Sequence, residues 1–112
     1  MVPQKTGLVF RSVLGTPEMA KRLKLKFPEM TWRLGDSDLY RYYYVMGKRY
    51  DGVIVKIMPE NESDEYYLGV YFGDMPEFPK HDEQLAIAQQ IQAEVLPVVE
   101  GHFNVMSRDP TL

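Results

Sequence analysis

All eight tyrosines of this chain fall between Leu39 and Phe72, at positions 40, 42, 43, 44, 50, 66, 67 and 71. Tyrosine and β-branched residues fit a pleated, half-buried surface, so this stretch predicts a sheet. Leu39–Met46 reads as a strand with Tyr40, Tyr42, Tyr44 and Met46 on one face and Arg41, Tyr43 and Val45 on the other. Gly47-Lys48 predicts a two-residue type II′ turn that sets Tyr42 opposite Val53, Tyr40 opposite Val55 and Tyr43 opposite Gly52; a turn at Asp51-Gly52 is the rival. The returning strand, Val53–Met58, puts Val53, Val55 and Ile57 on one face. A third strand, Tyr66–Phe72, does the same with Tyr66, Leu68, Val70 and Phe72. These aliphatic sets are the buried ones, because burying a Val, Leu or Ile side chain is worth about 1.5–3 kcal/mol. The opposite face then carries Arg41, Tyr43, Ile54, Lys56, Tyr67 and Tyr71. Tyrosine serves there either as a wet outer surface or as a binding platform, since its ring buries well while its hydroxyl stays solvated.

The flanking segments supply helices and further strands. Leu8–Leu14 reads as a first strand ended by Gly15. Thr16-Pro17-Glu18 reads as a helix start, with Thr16 as N-cap and Pro17 at the first helical position. Met19, Ala20, Leu23 and Phe27 form its apolar stripe, and Pro28 ends it. Met30–Leu34 reads as a short strand and Gly35–Asp38 as a turn. Asp82 is the expected N-cap of a last helix whose apolar side carries Leu85, Ile87, Ala88, Ile91 and Val95, with Gln89, Gln90 and Gln92 toward water. Pro97 kinks or ends that helix, Gly101 stops it, and His102–Met106 reads as a short closing strand. The order β-α-β-β-β-β-α with short connections predicts a two-layer α+β domain. In it an antiparallel meander of about five strands packs both helices on one face. Which edge the first strand joins is not legible. The reading is one domain over 1–112, with loose ends at 1–6 and 107–112.

The 112 residues suffice for a core without staples, and the absence of cysteine excludes disulfides and thiolate chemistry. No apolar run approaches the ~20 residues that span a bilayer, and no signal-peptide pattern opens the chain. The expectation is a soluble, cytoplasmic protein without membrane contact. Charge is divided: residues 1–56 hold eleven Lys/Arg against five Asp/Glu, and residues 57–112 hold two against eleven. Such asymmetry marks a charged partner unless the fold interleaves the halves.

Catalytic motifs are missing: there is no HExxH, GxSxG, P-loop or GxGxxG. Asp74, Glu77, His81, Asp82 and Glu83 are the best group for acid–base chemistry, with His102 as a distant candidate, but caps and turns explain them equally well. Asp36 and Asp38 resemble only the start of a calcium loop, and no metal or other cofactor is expected. A cup lined by Tyr40, Tyr42, Tyr44 and Phe72 is a further small-molecule reading. The leading expectation is a non-enzymatic protein-binding module of inhibitor, antidote or adaptor type, using Arg41, Tyr43, Lys56, Tyr67 and Tyr71. Self-association through that face is the related case. Single-stranded nucleic acid on the same aromatic and basic face is the alternative. Lys21, Arg22, Lys24 and Lys26 form a second basic patch, suited to phosphates or acidic proteins.

Overall fold

The computed structural model describes residues 7–37, 42–59, 64–77 and 79–103. In chain order they form β1 (Gly7–Arg11), α1 (Thr16–Lys26), β2 (Thr31–Ser37), β3 (Tyr42–Lys48), β4 (Ile54–Pro59), β5 (Glu65–Tyr71), α2 (His81–Val98) and β6 (His102–Phe103). The strands make one sheet in the order β2-β3-β4-β5-β1-β6, with every neighbouring pair antiparallel. The meander and the α+β class are those the sequence predicts. β1 crosses back to lie beside β5, and the two-residue β6 adds to its far side.

Both helices cover one face. α1 lies over β2 and β3 and touches β4, while α2 packs on β5 and against α1. Between them Phe10, Met19, Leu23, Val45, Val55, Ile57 and Leu68 lose all contact with solvent. This is the alternation the aliphatic positions predict, since residues i and i+2 of a strand share a face. Trp32 joins them: its indole N–H donates to the Phe27 carbonyl at 3.1 Å, satisfying a carbonyl just beyond α1.

Several local readings are corrected. The β3–β4 turn is the rival one: Lys48 pairs with Ile54 and Gly47 with Val55, so both residues of the expected turn belong to the strand. The chain reverses over Arg49–Gly52 instead. The Gly52 N–H donates to the Arg49 carbonyl at 2.9 Å and the Arg49 N–H to the Val53 carbonyl at 2.8 Å. Gly52 takes φ +100, which a side chain rarely tolerates. The register moves with the turn: Val55 pairs with Gly47 instead of the expected Tyr40, and Ile57 pairs with Val45.

β2 runs on through Gly35 to Ser37, where a turn was expected, because pairing with β3 overrides the local turn preference of Gly and Asp. β1 stops at Arg11. Ser12 is buried and Val13 exposed, so the strand is shorter than the apolar run suggests. α1 is capped by Gly15, and Thr16 is the first helical residue, buried against the core. α2 begins one residue before Asp82 with Lys80 as N-cap, whose N–H donates to the Glu83 carboxylate at 3.0 Å. Gln92 is buried rather than wet, as is Gln84, whose amide donates to the Pro79 carbonyl at 2.9 Å. Pro97 sits inside the last turn of α2, and the chain leaves the helix through Glu100 at φ 53, one residue before the glycine expected to stop it.

Candidate binding face

The register fixes what lies on the side of the sheet away from the helices. β1 contributes Gly7, Val9 and Arg11; β5 contributes Tyr67, Gly69 and Tyr71; β4 contributes Ile54, Lys56 and Met58. β3 adds Tyr44, Met46 and Lys48, and β2 adds Thr31, Arg33 and Gly35. Among the described residues no helix covers this face.

Its tyrosines lie down on glycines. Gly35 sits directly opposite Tyr44, and a Cβ built on Gly35 would run into Cζ with the two Cε atoms equidistant. That is the approach to the flat of a ring, not to its edge. Gly7 and Gly69 form a cross-strand pair, and Tyr67 reaches over both. Tyr71 folds back from the other side, its hydroxyl also over Gly69. Each ring therefore rests on bare backbone and turns its other side outward. Lys56 stands between two of them, its Nζ 5.3 Å from the Tyr44 ring centre and 5.9 Å from that of Tyr71. Both distances suit cation–π attraction, which needs a charge within about 6 Å. Burial, reinforced by the neighbouring Tyr67 phenol, holds the Tyr71 hydroxyl proton above its ordinary value, so the ring stays neutral at physiological pH.

Of the residues expected to form a binding surface, Lys56, Tyr67 and Tyr71 come together here, and Tyr71 is 39% exposed. Tyr43 does not join them: two residues before Val45, it points to the helix side of the sheet, where it is exposed beyond the core. Arg41 lies outside the described residues. Tyr44 was expected on the buried face and is instead a central member of the outer one. The expected cup of Tyr40, Tyr42, Tyr44 and Phe72 does not form around it, because Phe72 is buried in the core and Tyr44 faces away; Tyr40 lies outside the described residues. A signal for Tyr44 was present in the sequence, since glycines at 7, 35 and 69 sit in strands that otherwise hold bulky residues. What was missing was the register that brings them under rings.

The halves of opposite charge interleave. Arg11 approaches Asp64 at 3.6 Å and Glu65 at 3.7 Å, Arg22 meets Glu100 at 2.7 Å, and Lys48 meets Asp74 at 3.2 Å. Arg22 thereby leaves the α1 basic patch and pairs toward the end of α2, its guanidinium held protonated chiefly by the hydrogen bond it donates to Glu100 and then by that to Glu18. Lys21, Lys24 and Lys26 stay exposed.

The acid–base group does not converge. Asp74 pairs with Lys48, Glu83 accepts from the Lys80 N–H, and His81 opens α2, whereas His102 lies across the sheet opposite Arg11. Among the described residues no three His, Asp or Glu side chains are grouped to hold a metal, and no helix is long and apolar enough to cross a membrane. Asp36 lies in β2, paired with Tyr43 of β3, not in a calcium loop; Asp38 lies outside the described residues. A cleft of about 60 Å³ opens between the end of α1, the β3–β4 turn and α2. Its apolar floor includes Met30, Val55 and Ile91, with Arg49 and Glu94 at the rim. That is too small for a drug-sized ligand, whose pockets run to several hundred Å³.

No family model matches this chain, and no curated protein or solved structure matches it significantly.

Proposed function

We propose that this chain is a small protein-binding module of inhibitor or adaptor type, and that it engages its partner through the outer sheet face at Tyr44, Lys56, Tyr67 and Tyr71. One observation carries this reading: the face is left open by both helices and its rings are already seated on glycine floors. Immobilising a rotamer-rich side chain on binding costs about 0.5–1.5 kcal/mol, and a ring already held by its neighbours avoids much of that. Tyrosines are over-represented among interface hot spots for related reasons. The test uses the full chain as bait, with Tyr67→Ala/Tyr71→Ala as comparison. Expected is one partner retained in stoichiometric amount and lost with the double variant. Unchanged capture removes the face from consideration.

A second reading rests on ring orientation. A ring lying flat presents a π-face to solvent, and nucleobases stack on such faces at about 1–3 kcal/mol per base. Arg33, Lys48 and Lys56 share this face and could meet phosphates. Titration with oligothymidylate separates the two readings. Binding that weakens steeply with salt, and falls at least tenfold in the Tyr44→Ala variant, supports nucleic acid; no binding at low salt excludes it.

A further inference from the structure

β2 forms one margin of the sheet, and among the described residues no strand pairs with its outer side. Natural proteins blunt such edges with proline, lysine, bulges or very short strands. β2 runs seven residues, Thr31–Ser37, with no proline, no lysine and an unbroken register against β3. Leu34 sits at this edge with 39% of its surface exposed.

The charge around this edge is mostly positive, with one acid, Asp36, in β2 itself toward its C-terminal end. α1 packs against α2, and its Arg22 bonds to Glu18 within the helix and to Glu100, two residues past the end of α2. Successive helical residues are rotated by about 100°, so Lys24 projects about 200° away from Arg22, on the flank opposite α2, with Lys21 one turn earlier. Because α1 lies over β2 and β3, that flank overhangs the open edge. On the other side of the sheet Arg33 is exposed, its guanidinium 3.7 Å from the sulfur of Met46. The nearby acid Glu29 instead lines the cleft toward α2.

We infer that the β2 edge accepts an extended acidic peptide as an added strand. The peptide backbone completes the ladder along Thr31–Ser37, while its carboxylates lie between Lys21 and Lys24 on one side and Arg33 on the other. Main-chain bonds supply affinity and the flanking charges choose the sequence, as in other strand-addition complexes. This surface shares Arg33 with the ring-paved face but rests on the backbone edge and on Lys21 and Lys24 instead of the tyrosines, so either can fail without the other.

The probe is a ten-residue peptide repeating Glu-Glu-Val-Val, which sets carboxylates on both faces of a strand, read by amide exchange and by fluorescence anisotropy on the full chain. Expected is at least tenfold slower exchange at alternate amides of Thr31–Ser37. Affinity should fall at least tenfold in Lys21→Glu/Lys24→Glu, and should be lost when the peptide amides on one side are N-methylated. The N-methylated peptide keeps every charge, so equal binding by it overturns strand addition. Protection falling outside β2, affinity unchanged in the double variant, or the same protection with oligothymidylate, which has no peptide backbone, would each overturn it too.

Discussion

Ser12 is almost fully buried, yet its hydroxyl is engaged twice: it donates to the Val99 carbonyl at 2.6 Å and accepts from the Leu14 N–H at 3.1 Å. It joins the end of β1 to the end of α2, 87 residues away in sequence. Within the apolar run Leu8–Leu14 it reads as one more strand residue, because nothing local announces a partner that distant. Ser12→Ala leaves a buried carbonyl unmet and is expected to cost about 1–3 kcal/mol, measured by urea unfolding with an unchanged slope. Asp51 is the second telling residue. Its carboxylate accepts from Arg49 Nε and Nη2, at 3.0 and 2.8 Å, and from the Val53 N–H. The Arg49 hydrogen bond, opposed in part by burial, holds the Asp51 proton affinity below the ordinary 3.8. A lowered value stabilises the fold above that ordinary pKa, and the stabilisation fades as pH falls through the lower one. Acid should therefore loosen the Arg49–Val53 turn in the wild type, seen as amide shifts at Gly52 and Val53, whereas Asp51→Asn should show no such step over the same range.

At the scale of elements, strands were legible and their pairing was less so. Tyrosines and aliphatics alternate clearly enough to mark β3, β4 and β5, and the stripe of Met19 and Leu23 marks α1. The β3–β4 register turns on which glycine reverses the chain, and two candidates stood five residues apart. Tertiary context decides between them: Gly47 is required in the strand because Trp32 lies across it, and Gly52 is required in the turn because of its positive φ. The consequence reached the candidate site, since the shifted register exchanged Tyr43 for Tyr44. The glycine floors can be tested directly. In Gly35→Ala the new methyl must displace the Tyr44 ring. Overpacking of this kind costs about 1–3 kcal/mol, and Tyr44 should swing away from Lys56. The upfield ring-current shift of the Lys56 methylene protons should then shrink, which a uniform loss of stability would not produce.

For the whole molecule, the order β2-β3-β4-β5 forms by successive short-range pairings, while β1 must wait for β5, with Gly7 meeting Gly69. Loop closure over such a span is an entropic cost that delays folding, and β1 is the segment expected to dock late. Phe10, fully buried and stacked 5.6 Å from Tyr66, anchors that docking. Phe10→Ala should cost about 3–5 kcal/mol and should act mainly by speeding unfolding, with folding nearly unchanged in a chevron plot. The layering was readable from the sequence because helices and sheet each show one apolar side; the seat of β1 was not, because either edge of the meander could have buried it. Its antiparallel pairing with β6, Phe10 beside Phe103 and Arg11 beside His102, also sets how the molecule meets tension. The chain enters β1 and leaves β6 on the same side, so a pull between these two points opens their hydrogen bonds one after another instead of loading them together. Stretched in this direction, the domain is a zipper rather than a clamp, and it should give way first at the β1–β6 seam.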